Sequence, residues 1–113
     1  MLTTKLQPMF EKNVFIHHVY FWLKEKDNTH HLDQLHAGLA ALSALTTIKA
    51  FHIGVPADTN RDVIDSSYAI SWLLLFNNSD DQLSYQTDPM HLKFIADCAH
   101  LWSKVQVYDT VGK

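Results

Sequence analysis

Val14-Phe15-Ile16-His17-His18-Val19-Tyr20-Phe21-Trp22-Leu23 decides the fold. Apolar, aromatic and β-branched residues run through it, which is the composition of a strand. Side chains alternate across a strand, so His17, Val19, Phe21 and Leu23 share one face and Ile16, His18, Tyr20 and Trp22 share the other. Both faces carry large apolar groups, so the strand is expected to be covered on both sides. Tyr68 to Phe76 strengthens that reading, because Ile70-Ser71-Trp72-Leu73-Leu74-Leu75-Phe76 is nearly continuous in apolar residues. Ile48 to Val55 reads as a further strand ending at the turn signal Gly54-Val55-Pro56, with a polar loop from Pro56 to Ser67 beyond it. Lys104 to Thr110 closes the chain as a fourth strand.

Helices fill the intervals. Asp27, Asn28 or Thr29 would cap a helix running to about Thr46, with Leu32, Leu35, Leu39, Leu42 and Leu45 as its core stripe. Asn77 to Asp80 would cap a second helix that runs to about Gln86 and restarts at Pro89. At the restart, Asp88 is a good N-cap and Pro89 suits the first helical position. His91, Phe94, Ile95, Cys98 and Trp102 then fall on one helical face. The order β-α-β-β-α-β predicts an α+β, ferredoxin-like fold: a four-stranded antiparallel sheet with helices on one face. The other face, rich in aromatic side chains, also needs cover, and a second copy of the same sheet is the simplest one. A two-fold homodimer follows. Residues 1–13 read as an N-terminal extension and 14–113 as the single domain.

A chain of 113 residues fits one domain. Its net charge of −3 opposes a nucleic-acid partner, which requires a clustered basic face. The βαββαβ order also occurs in RNA-binding RRM domains, but the basic glycine-aromatic signature of their third strand is absent. No apolar run reaches the length of a membrane span, and Met1 to Asn13 lacks an apolar signal core. Cys98 is the single cysteine, so an intrachain disulfide is impossible and a cytoplasmic location is expected.

The chemistry-bearing stretch is Tyr85-Gln86-Thr87-Asp88-Pro89-Met90-His91. It sets a phenol and an imidazole at the mouth of a helix beside core-forming residues. The helix dipole there favours a neutral imidazole, while Asp88 acts in the opposite direction. The eight histidines are dispersed, and no HExxH or paired-cysteine spacing marks a metal site. His30, His31 and His36 read as a solvated helix face, His52 and His100 as surface or interface residues, and Cys98 as a buried, inert thiol.

Taken in order, His17 to Lys24, Gly38-Leu39 with Leu42, Phe51 to Gly54, Asp65 to Phe76, and Tyr85 to His91 with Phe94 resemble the stress-responsive α/β-barrel domain (Dabb) family of the dimeric α+β barrel superfamily. The resemblance covers about residues 14 to 110. It implies a homodimer whose sheets form a barrel, with a pocket between sheet and helices in each subunit. Most members have no assigned reaction. A plant polyketide cyclase among them uses a tyrosine and a histidine that match Tyr85 and His91, and a first-strand histidine that matches His17. Asp88 stands where the family pattern has another histidine, so a role needing that imidazole does not carry over. Leu32 to Leu45 lacks the cyclase's first-helix aromatics, which argues for a different substrate.

Two functions are therefore expected to compete. One is binding of a small apolar molecule in a pocket lined by Val19, Phe21, Trp72, Phe94 and Ile95. The other is cofactor-independent acid–base chemistry on a small carbonyl compound, with His91 as base, Tyr85 as hydrogen-bond donor to the oxyanion and His17 orienting the substrate. A weaker third reading is haem binding, as in haem-degrading relatives of the superfamily, with His17, His52 or His91 as axial ligand. No metal or other cofactor is called for by either leading reading.

Overall fold

Strand β1 (Phe15–Leu23) lies in the middle of the sheet, with β3 (Ile70–Phe76) on one side and β4 (Trp102–Val111) on the other. Strand β2 (Ala50–Gly54) pairs with β3 to complete an antiparallel sheet of order β2-β3-β1-β4. Helices α1 (Thr29–Leu42), α2 (Ser79–Gln86) and α3 (Pro89–Cys98) complete the fold, and a short 3-10 turn, Ala99–Leu101, leads into β4. This computed structural model describes residues 6–8 and 10–113, so part of the expected N-terminal extension lies outside the described residues.

The alternation of β1 divides the sheet as expected. His17, Val19, Phe21 and Leu23 are buried, while Ile16, His18, Tyr20 and Trp22 are partly exposed. Across the ladder, Val19 pairs with Trp72, Phe21 with Ile70 and His17 with Leu74, so these β3 residues share the buried, inner face. The helices cover that face with Leu35, Leu39 and Leu42 from α1 and with Phe94 and Cys98 from α3. Each fully buried side chain of this size contributes roughly 1.5–3 kcal/mol. Gly38 lets α1 and α3 meet closely: a Cβ there would lie 2.9 Å from Cys98 Sγ. The Trp72 indole N–H is satisfied within the core by donating to Ser43 Oγ at 3.0 Å.

Some boundaries differ from expectation for local reasons. Helix α1 stops at Leu42 rather than near Thr46, because Ser43 turns its hydroxyl back onto the Leu39 carbonyl and the next N–H groups tighten into i→i−3 bonds. The continuing leucine pattern survives only as Leu45 packed at the core edge. Strand β2 is shorter than Ile48 to Val55, although Lys49 N–H still donates to Leu75 O. The Asp88 break yields two helices, with Asp88 Oδ1 accepting from Met90 N at 2.8 Å and Pro89 opening α3. Trp102 lies outside α3 and begins β4 instead. It still reaches the expected neighbours, stacking on Phe94 at 5.7 Å and tilting against Phe21 at 5.1 Å.

Candidate functional site

Tyr85, His91 and His17 come together where α2, α3 and the inner face of β1 meet. Tyr85 is the penultimate residue of α2 and is 1% exposed. Its ring centroid lies 4.5 Å from that of His91 and 5.8 Å from that of His17. Phe76 and Trp72 wall it on the sheet side, at 5.3 and 6.3 Å. Asp88 and Pro89 place His91 in the first turn of α3, and the register of β1 turns His17 inward.

Each imidazole is oriented by an acceptor. His91 Nδ1 donates to the Gln86 carbonyl at 3.1 Å, and a carbonyl can only accept, so the proton sits on Nδ1. His17 Nδ1 meets Asp109 Oδ1 at 2.6 Å. Both Nε2 atoms, like the Tyr85 hydroxyl, have no hydrogen-bond partner among the described residues. They are not sealed off either, since His31 Nδ1 is the one fully buried side-chain polar atom without a partner among those residues. The three polar tips are therefore not fully enclosed.

Burial sets the protonation states. It lowers the His91 pKa, partly offset by the Gln86 hydrogen bond and Asp88, and so favours the neutral ring. It pushes the Tyr85 phenol upward, keeping it a donor.

Asp109 is a site residue that sequence reasoning did not find. It lies directly opposite His17 in the β1–β4 ladder and is 43% exposed. The same register sets Val105, Val107 and Val111 on the inner face of β4, yet they are 36%, 39% and 56% exposed. The helices leave this edge largely open, so the cluster faces an apolar, solvent-reachable strip.

Of the expected lining residues, Val19, Phe21, Trp72 and Phe94 are core residues packed on one another. Ile95 lies outside that packed core: it is 39% exposed, one residue round the helix from Phe94. Rings fill much of the space beneath the helices, and pronounced depressions lie elsewhere. One of about 270 Å³ is lined by Tyr20, Trp22, Tyr68 and Tyr108, and one of about 280 Å³ lies between α1 and α3 above Phe94 and Cys98. His52 is on the opposite sheet face from His17, and no group of three potential metal ligands occurs among the described residues.

The stress responsive A/B barrel domain model, Dabb, matches residues 15–111. The chain belongs to the Dabb family. A search of the curated proteins found no match. Among solved structures, a Dabb protein from Mesorhizobium loti with a ferredoxin-like fold superposes with TM-score 0.74 at 20% identity, covering 88% of this chain and 97% of its own. A dimeric ferredoxin-like protein of unknown function from Thermobifida fusca gives TM-score 0.72 at 16% identity, covering 96% and 99%. The hydroxynitrile lyase of Passiflora edulis gives 0.74 at 19% identity, covering 91% and 96%. At these identities the likeness is one of fold. Three of the neighbours with this fold are dimeric proteins. No helix among the described residues is long and apolar enough to cross a membrane.

Proposed function

We propose that this Dabb domain binds a small molecule with a polar head, a carbonyl or hydroxyl group, and an apolar body. The observation that carries the reading is the set of three unpartnered polar tips, Tyr85 Oη, His91 Nε2 and His17 Nε2, on rings that pack around Tyr85 at the inner sheet face. The head would take the donor from Tyr85 and the lone pair of His91. The body would lie toward the exposed valines of β4, the side on which the rings leave room.

A second reading is favoured by the proton states. A neutral imidazole beside a protonated phenol is the pair needed for cofactor-independent proton transfer next to a carbonyl. His91 Nε2 would take the proton from carbon, and the Tyr85 hydroxyl would donate to the oxygen where negative charge develops. Asp109 would hold the His17 ring so that its Nε2 faces the same group. The hydroxynitrile lyase neighbour is consistent with enzymatic use of this fold, at the level of fold likeness alone.

Both readings are tested together. Ligand-observed NMR against a panel of small aldehydes and ketones reports binding, and exchange of their α-protons in heavy water reports proton transfer. Tyr85→Phe and His91→Ala are each expected to reduce exchange by about 10²–10⁴-fold. Binding that persists while exchange is absent selects the binding protein. Full binding and exchange in both variants would remove the site from either role.

A further inference from the structure

The sheet face that α1, α2 and α3 do not cover carries a small aromatic basin that the inner site does not use. It is a depression of about 270 Å³ lined by Tyr20 and Trp22 of β1, Gln106 and Tyr108 of β4, and Asp65 and Tyr68 of the loop before β3. Tyr68 and Tyr108 stand edge-on to Tyr20, at 4.9 and 6.1 Å between centroids and at 70° and 81° between planes. Two rings thus stand as near-perpendicular walls to a third, rather than packing in a stack. His18 stacks on Tyr20 at 4.5 Å, and its Nε2 bonds Ser71 Oγ at 2.7 Å, which fixes the plane of the central ring. Trp22 lies about 13 Å along β1 from His18, so the basin sits toward the loop end of the sheet.

Polar bonds anchor the loop side. Trp22 Nε1 donates to Ser67 Oγ at 3.0 Å. Ser67 gives both its hydroxyl, at 2.6 Å, and its backbone N–H, at 2.9 Å, to Asp65 Oδ1. Those bonds hold the Asp65 carboxyl below its ordinary range, so it is anionic at neutral pH. Asp65 Oδ2 has no hydrogen-bond partner among the described residues. The basin therefore combines aromatic rings, whose faces are negative, with one fixed negative charge, and no cationic side chain lines it. The chain itself shows which sign of charge suits these rings: Lys104 Nζ lies over the Trp22 ring, 4.6 Å from its centroid.

We propose that this basin binds a free small organic cation through an alkylated ammonium head, such as a trimethylammonium group. Aromatic rings hold such a head by cation–π attraction, and its methyl groups lose water favourably against them. Asp65 supplies the matching charge without having to touch the nitrogen. A metal ion or a bare ammonium would give up its hydration shell with too few oxygens here to replace it. A phosphate or carboxylate would meet Asp65 and the ring faces with the same sign of charge. Tyr108 is 58% exposed, so the basin is open to solvent on the β4 side and a small molecule can enter it directly. The proposal is independent of the Tyr85 site, which lies on the opposite face of the sheet.

Titration of the full chain, in whatever assembly it adopts in solution, with choline tests this, followed by heteronuclear NMR of the Trp22 indole N–H. Saturable shifts of Trp22 and Tyr68 are expected, with a Kd on the order of 1–10 mM, as a solvent-open set of cation–π contacts gives. The neutral isostere of choline, with carbon in place of the charged nitrogen, should bind about tenfold more weakly or worse. Tyr108→Leu and Asp65→Asn should each weaken choline by about three- to tenfold. Equal affinity for choline and its neutral isostere overturns the proposal, as do the absence of a saturable shift and natural affinity in both variants. The isostere comparison uses the natural chain and decides even where a variant does not fold. A peptide carrying trimethyllysine that binds more than about tenfold tighter than choline would overturn the assignment to a free small molecule.

Discussion

His17 and His18 are adjacent in sequence and face opposite sides of one strand, and almost everything else about them differs. His17 points under the helices, is 5% exposed, and is gripped by a carboxylate from β4. His18 points to the side that α1, α2 and α3 do not cover, bonds a serine of β3 and stacks on a tyrosine. On the inner face, polar groups are fixed inside a packed core, so their free atoms invite a ligand. On the outer face, similar residue types form a broad half-exposed surface, which invites another protein surface. The two-residue period of one strand separates the candidate site from the face that would carry an interface.

Substitution at another adjacent pair gives the most forceful test of that contrast. Trp72 faces inward and is 1% exposed, whereas Leu73 faces outward between His18 and His52. Trp72→Ala is expected to cost about 3–5 kcal/mol, independent of protein concentration, because it empties the core. Leu73→Ala should cost far less in dilute protein, with a loss that grows at concentrations where the natural chain is dimeric. Denaturant melts at two protein concentrations check this. If both variants show the same concentration dependence, the two faces do not differ in the way described.

Much of the contrast was legible in the chain. The period-two pattern of Val14 to Leu23 assigned both faces of β1, the apolar run Ile70 to Phe76 marked a central strand, and Asp88-Pro89 announced the start of α3. Asp109 was not legible. It lies 92 residues from His17, and their meeting depends on strand register. Leu23 pairs with Trp102, but a register shift between Trp22 and Leu23 sets Trp22 against Lys104. Counting from the first of these pairs would place Tyr108 opposite His17, on the wrong face. The partial exposure of Ile95 was not legible for a simpler reason. A helical turn of about 100° from Phe94 carries it to the margin of the buried stripe, and the periodic pattern alone cannot show where cover ends.

The next effect in size lies within the inner face, between polar groups that support the core and polar groups left for a ligand. Ser43 Oγ donates to the Leu39 carbonyl and accepts from the Trp72 indole. Ser43→Ala strands that indole N–H in the core and is expected to cost about 1–3 kcal/mol in a urea melt. A loss within error would mean that the indole finds another acceptor and that the Ser43 bond is not what orients Trp72.

The smallest effect is the most discriminating. Tyr85 is as buried as Trp72, yet its hydroxyl has no partner among the described residues. Tyr85→Phe removes a polar atom that supports nothing in the fold, so stability should change by less than about 0.5 kcal/mol in either direction. The same variant is expected to lose ligand binding or proton transfer. An unpartnered hydroxyl whose removal leaves folding unchanged but abolishes function is held for something outside the chain. If Tyr85→Phe instead destabilised as much as Ser43→Ala, the hydroxyl would be a core hydrogen-bonding group and the inner face would have no vacancy for a polar head.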